Sequence, residues 1–475
     1  MTTGLTRVTI TAAQRRVDVA LPEQVPLAEL LPEVLRHAGE GLADDGERHG
    51  GWLLRRTDGV PLQAGQALAV QGVRDGELLH LVPARAQWPE LEYDDVVEAI
   101  ADGARRRGSA WSGPATRAAA LGGASVLLAT GLFAVLRGAP QWRLGAVAAL
   151  AAAALLTLAG VVASRAYGDG SAGAALGAWS MPYAFVGGAV LVSTGDPVGV
   201  LAPVGWLGAP ELLVGSVALL LAGVLGAAGV AAGLRGFAAG VTVGLLGALT
   251  ALLAYVLPPA GAAAVLMSVL VCGIGVLPLL AIRFGKLPMP PITLPTGAEA
   301  AEGFTTAGGA LDAARERPER SRVFAAVARA EQLLTGMLVG HGVLAAAASV
   351  VLVVDGGLAG RLLTAVSAVA LLLRSRLFVT VRQRVPLVAA GLAGIGVLVI
   401  ALGSRGDEAV LLTLTAAALL LALVTVVAGS TYSRRPLTPY LGRAADLADT
   451  FMVVSVVPVA CAVLGLYGRA RGLIG

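Results

Sequence analysis

Few side chains in this chain could ligate a metal or attack a substrate, and they lie far apart. Histidine occurs at positions 37, 49, 80 and 341, and cysteine only at 272 and 461. A zinc site needs ligand pairs a few residues apart, and none of these positions supplies one. Cys272 and Cys461 lie in apolar stretches without a Cys-x-x-Cys partner, so they read as small packing side chains. There is no His-Glu-x-x-His, no Gly-x-Ser-x-Gly, no P-loop and no dinucleotide fingerprint in the required context. Glycine pairs such as Gly122-Gly123 and Gly187-Gly188 sit in apolar runs, where they suit close helix packing and not a phosphate.

Ionisable groups give the second test. Proton- or ion-coupled transporters keep such groups near the bilayer midplane. Here Glu211, Glu331, Asp355, Asp446 and Asp449 fall at the ends of apolar segments, leaving His341 well inside one, between Gly340 and Gly342. A histidine without a carboxylate partner reads as a hydrogen-bonded packing residue. The remaining chemistry is that of surfaces. Arg105, Arg106 and Arg107 precede Trp111, and Arg315, Arg317, Arg320 and Arg322 form a second basic cluster. Both suit contact with anionic headgroups or a protein partner.

These residues belong to two physical regimes. Of 475 residues, 56% are hydrophobic and 14% charged, against about 25% charged in a soluble protein. Residues 1–117 carry net charge −4 and hold 30 of the 66 charges, whereas residues 118–475 carry +8. The composition excludes an ordinary soluble enzyme, a disordered chain and a disulfide scaffold. The basic balance suits anionic phospholipid, because no basic face is interleaved with exposed aromatics as nucleic acid would require. Residues 1–30 are charged and lack an apolar signal core, which leaves the head in the cytoplasm.

Within the head, residues 1–85, Val8 and Ile10 alternate with polar neighbours, as do Val17, Val19 and Leu21, across a tight connection at Ala13-Gln14. This predicts a hairpin. Leu27, Leu30, Leu31, Val34 and Leu35 then form one helical stripe between Pro26 and Gly39, with Pro32 a cost inside it. Trp52–Arg56, Leu68–Val70 and Glu77–Val82 read as further strands. The order β-β-α-β-β-β is that of a ubiquitin-like β-grasp (α+β) domain. The chain continues past Val82 through Pro83, so a free Gly-Gly terminus for conjugation is excluded; docking remains, with a passive soluble cap as the alternative. Residues 86–117 form a juxtamembrane linker. Its Tyr93–Arg107 stretch predicts an amphipathic helix, acidic at its start and basic at its end.

The rest reads as an all-α polytopic membrane domain. A span needs about 20 apolar residues. Eleven such segments occur, at roughly 118–136, 144–163, 172–193, 211–232, 237–257, 261–282, 331–354, 357–373, 385–402, 409–429 and 447–467. Spans one to six thus occupy 118–282, a long loop 283–330, and spans seven to eleven with a short tail 331–475. With the head in the cytoplasm, 16 basic residues of the body fall on the cytoplasmic side and six on the other, the asymmetry expected of inward-facing loops. The carboxyl terminus is then external.

The ubiquitin-like head, the Asp-Asp-Val-Val-Glu-Ala-Ile-Ala stretch at 94–101 ending near Trp111, the Gly72-Val73-Arg74-Asp75-Gly76 turn and eleven spans with a long loop after the sixth resemble one family. The chain is similar to EccD, the polytopic core component of actinobacterial type VII (ESX) secretion systems. The near-absence of lysine beside abundant arginine fits such a source. The resemblance implies a non-catalytic scaffold in the inner membrane that forms a dimer with a second copy. It also implies assembly with components EccB, EccC and EccE, and contact between the head and the EccC ATPase. It carries over no catalytic, cofactor or metal residue. The head, the arginine-rich helix and the loop 283–330 are the expected partner surfaces. The alternatives are a secondary transporter or permease with an accessory cytosolic domain, and a membrane-embedded enzyme, which would need a polar constellation at one depth.

Overall fold

The computed structural model describes residues 4–12, 15–39, 42, 46, 50–84, 111–138, 142–196, 198–201, 204–287, 320–404, 406–432 and 439–474. The chain divides into two compact units, Met1–Trp111 and Ser112–Gly475.

In the first unit, strand β1 (Leu5–Thr11) pairs antiparallel with β2 (Arg16–Pro22), with Val8 opposite Val19 and Ile10 opposite Val17. The period-2 alternation sends Thr6, Val8 and Ile10 inward. The connecting Ala13-Gln14 lies outside the described residues. Helix α1 (Leu27–Ala38) starts directly after Pro26 and buries Leu27, Val34 and Ala38. Leu30, Leu31 and Leu35 pack against the same core. Pro32 therefore neither delays nor ends the helix; it forfeits one bond, to the Ala28 carbonyl. Strands β3 (Trp52–Arg56) and β4 (Glu77–Pro83) pair antiparallel, and β4 runs parallel to β1. The sheet order is β2-β1-β4-β3, the mixed β-grasp arrangement. Leu54, Leu68 and Leu79 are completely buried, each contributing about 1.5–3 kcal/mol of apolar transfer.

The predicted strand at Leu68–Val70 is not formed. Leu68 points into the core, but the amides of Gln71, Gly72 and Val73 bond back to the carbonyls of Ala67, Ala69 and Leu68. The Ala69 amide reaches the Glu23 carbonyl, but the turns end the extended backbone there before a ladder can form, and Gly72 sits at φ +67°, a conformation glycine adopts without strain.

The second unit is helical. Its elements are α2 (Gly113–Arg137), α3 (Trp142–Arg165), α4 (Gly170–Val192), α5 (Ala209–Gly229), α6 (Leu234–Leu253), α7 (Pro259–Gly273), α8 (Leu277–Gly285), α9 (Arg320–Asp355), α10 (Gly357–Arg374), α11 (Val381–Gly403), α12 (Glu408–Tyr432), α13 (Pro439–Val463) and α14 (Leu466–Ile474). With α7 and α8 taken as one interrupted span, eleven helices among the described residues are long and apolar enough to cross a membrane. Their central core gathers Met267, Leu270, Ile274, Leu338, Leu352 and Leu363 from α7, the turn after it, α9 and α10. Backbone-close crossings hold the bundle together: a Cβ on Gly188 of α4 would lie 2.9 Å from the Val214 carbonyl of α5. By contrast α2 buries no residue, and α12 is exposed along nearly its whole length.

Three boundaries differ most from the sequence reading. Helix α2 starts at Gly113, because Ser112 accepts the Ala115 amide and Pro114 lies in the first turn. Helix α9 is continuous from Arg320, so residues 320–330 are helix and not loop. Helix α13 starts at Pro439, a proline at the first helical position.

Candidate partner surfaces and intramembrane polar cluster

Of the predicted surface residues, Arg105, Arg106, Arg107, Arg315 and Arg317 lie outside the described residues, as does the Tyr93–Arg107 helix. Trp111 is described and is 74% exposed. Arg320 and Arg322 occupy the first turn of α9 and are exposed. This helix has 36 residues, about 54 Å at 1.5 Å per residue, against a hydrocarbon core of about 30 Å. Its first turns therefore extend beyond the bilayer core, with Phe324 and Val327 also exposed. Trp111 belongs to the first unit and the α9 arginines to the second.

Several charged groups of the second unit are spent on helix ends. Asp169 accepts the Ala172 amide at 2.9 Å at the start of α4, bonds Ser171 and pairs with Arg117 of α2. The Ala172 N–H and these partners hold its carboxyl below the ordinary 3.8. Arg165 closes the end of α5 through the Gly229 and Ala228 carbonyls at 2.5 and 3.1 Å. Buried Glu211 accepts the Gly208 amide at 3.0 Å, and Asp355 accepts the Ala260 amide at 3.1 Å at the start of α7. Each places a charge where the helix dipole favours it.

His341 is buried, with Nδ1 3.0 Å from the Met337 carbonyl of its own helix. Its flanking glycines serve close packing on two sides. A Cβ on Gly340 would lie 2.9 Å from the Ala239 carbonyl of α6, and one on Gly342 would lie 2.8 Å from the Pro386 carbonyl of α11. Among the described residues, no group of three or more His, Cys, Asp or Glu side chains is arranged to hold a metal.

The placement of the acidic residues needs correction. Asp446 and Asp449 lie in the second and third turns of α13, and Glu331 lies inside α9; none is at a helix end. Arg374 of α10 stands 3.6 Å from Asp449, with both side chains largely shielded, and donates to the Val271 carbonyl in the last turn of α7 at 3.0 Å. Beside it Arg376 pairs with Asp446 at 3.3 Å, and Arg384 donates to the Ser375 carbonyl at 3.2 Å. The pairing of α10 with α13 was not readable from either segment alone. The signal that could have exposed it is Pro439, which moves the helix start and puts Asp449 well inside.

The family model of the EccD-like transmembrane domain matches residues 116–473, and that of the WXG100 protein secretion system protein YukD matches residues 5–81. ESX-4 secretion system protein eccD4 of Mycobacterium tuberculosis is 28% identical over 501 aligned positions, covering 99% of this chain and 98% of that protein. ESX-1 secretion system protein EccD1 of the same organism is 34% identical over 106 positions, covering 20% of this chain and 21% of that protein. Protomer 1 of the ESX-3 core complex superposes with a TM-score of 0.56 at 21% identity, covering 98% of this chain and all of that one. A chain of the MycP5-free ESX-5 inner membrane complex gives 0.54 at 19% identity, covering 89% and 99%.

Proposed function

The chain belongs to the EccD family, and from that premise we propose that it is a non-catalytic scaffold and channel component of a type VII (ESX) secretion machine. Its ubiquitin-like head docks the secretion ATPase. The observation that carries this reading is the joining, in one chain, of a separately cored ubiquitin-like unit to a body with eleven helices, among the described residues, long and apolar enough to cross a membrane. A rigid folded head is a handle for a partner. A body in which Glu211 and Asp355 cap helices and Asp446 and Asp449 meet arginines is a platform.

The polar cluster favours the platform over a permease. Transporters bind cations at the carboxyl ends of interrupted membrane helices. Here that position, the last turn of α7, is taken by the guanidinium of Arg374.

The orientation we propose has the head in the cytoplasm and the carboxyl terminus outside the inner membrane, as the charge asymmetry supports. Partners are a second copy, EccB, the EccC ATPase, EccE and anionic phospholipid, with no nucleic acid. Arg105, Arg106, Arg107 and Trp111 near the first span, and Arg315, Arg317, Arg320 and Arg322 near the seventh, are the surfaces we assign to partner or headgroup contact. Tagged full-length protein purified from its membrane in mild detergent tests the proposal. A high-mass assembly containing an ATPase supports it. A monodisperse protein that brings no partner and binds a small solute overturns it in favour of the permease.

A further inference from the structure

The sheet of the head has two unlike faces. Val8, Ile10, Leu21, Leu54, Leu79 and Leu81 form the inner face, in one core with α1. Leu53, Leu78 and Val82 lie outside that core and are partly exposed. The register sets Arg16 beside Thr11, Thr11 beside His80 and His80 beside Arg55. Each of the four falls in the phase opposite to the core residues of its own strand, so all four point outward. They form one row across the sheet, about 14 Å from end to end at about 4.8 Å per strand. Leu53 and Val82 border the row on one side and Leu78 on the other.

Two adjacent arginines show how the faces differ. Arg56, in the inner phase, donates to the Gln71 carbonyl at 2.6 Å and has the Glu77 carboxylate 3.2 Å from its Nε. Arg55, in the outer phase, meets no carboxylate or carbonyl among the described residues, and its Nε is a buried atom without a hydrogen bond. A buried donor without an acceptor is unfavourable, and an incoming carboxylate would satisfy it. The charge of this face also departs from that of the unit. Residues 1–85 hold nine arginines and eleven acidic residues. Yet the strands turn Arg7, Arg16 and Arg55 outward against Asp18 alone, whose carboxylate accepts the Thr9 hydroxyl at 2.6 Å.

We propose that this outer sheet face is where the head receives its protein partner, and that the partner offers an acidic, amphipathic segment. A carboxylate of that segment meets Arg55, and apolar side chains on either side of it cover Leu53, Val82 and Leu78. The inference rests on the docking role proposed above and names the surface that performs it. An arginine set among apolar side chains is the composition that anchors protein interfaces. Anionic lipid fits this face less well, because its three apolar side chains lie in the plane of the sheet and offer nothing to insert into a bilayer.

Tagged full-length protein purified with its partners in mild detergent tests the surface. Arg55→Glu should lower the co-purifying ATPase by at least about tenfold while the membrane components keep their normal level. Arg36→Glu makes the same charge change at an exposed site on α1, across the core, and should leave the ATPase unchanged. Full retention of the ATPase by Arg55→Glu overturns the proposal, whether the arginines then serve anionic lipid or nothing. An equal loss in both variants also overturns it, because that marks a response to net charge. Deletion of residues 1–84 in parallel separates this surface from the docking role itself. If the deletion loses the ATPase and Arg55→Glu keeps it, the head docks by another face; if the deletion keeps it too, docking by the head fails. Protection of β3 and β4 amides against hydrogen exchange reports whether the Arg55→Glu head is folded. If it is not, Arg16→Glu at the exposed end of the row decides in its place, with loss of the ATPase expected and full retention overturning the surface.

Discussion

Asp169 shows how single charges are used in the second unit. It caps α4 and pairs with Arg117, and its carboxyl titrates below the ordinary 3.8. A lowered folded value means that its contribution is present above the ordinary carboxylate range and is lost only as pH falls through the folded value. Between about pH 5 and 8 the start of α4 should therefore show no pH-dependent loosening. Asp169→Ala should speed hydrogen exchange at the Ala172 amide, while the α5 terminus closed by Arg165 stays protected. Gly340 makes the complementary case. A valine there would drive a Cβ to 2.8 Å from Thr242 and 2.9 Å from the Ala239 carbonyl. Overpacking of this kind costs about 1–3 kcal/mol, and Gly340→Val should lower the melting temperature in detergent. His341→Asn between the same glycines should leave secretion-complex assembly intact, as a packing residue would; loss of function with normal assembly would overturn the packing role and point to proton transfer at His341.

At the scale of elements, α1 offers the sharpest test. Pro32 is exposed and deprives the helix of one bond to Ala28. Pro32→Ala should stabilise the head by about 1 kcal/mol, the restored bond offset in part by a more flexible unfolded chain. Protection of β1 and β4 amides against exchange reads this out. The same helix shows what local sequence carries: the five-residue apolar stripe and the alternation of Val8 with Ile10 specify both period and inward face, and the structure follows them. Leu68 and Val70 alternate equally well, yet form turns. Alternation reports burial of Leu68 but not where the following amides go: Ala69 still bonds the distant Glu23 carbonyl, whereas Gln71, Gly72 and Val73 turn back to local carbonyls. The start of α9 was hidden for a different reason. Its first turns read as a charged, helix-prone stretch after Pro318 within the loop 283–330; only the continuous helix joins them to the span. Arg374 and Asp449 were hidden most completely, since 75 residues separate them in sequence and only the packing of α10 on α13 brings them together.

At the scale of the molecule, the two units answer to different solvents. The head has its own apolar core of leucines and valines under a four-stranded sheet, so its folding does not draw on lipid. The body buries nothing along α2 or along the most apolar stretch of α12. A helix so exposed within one chain is stable only with lipid or another chain around it. This separation makes the proposed division of labour testable. Removal of residues 1–84 takes away the whole described head while leaving every span. If the head is the ATPase handle and the body the platform, the truncated protein should still insert, reach normal levels and purify with the other membrane components, but the ATPase should fall by at least about tenfold, the loss of roughly 1.4 kcal/mol or more of binding. Mass measurement of the purified assembly separates the outcomes. An assembly that retains the ATPase at full level assigns the handle to the body, where the projecting turns of α9 become the next surface to alter. An assembly that loses all components together assigns the head a role in building the platform itself.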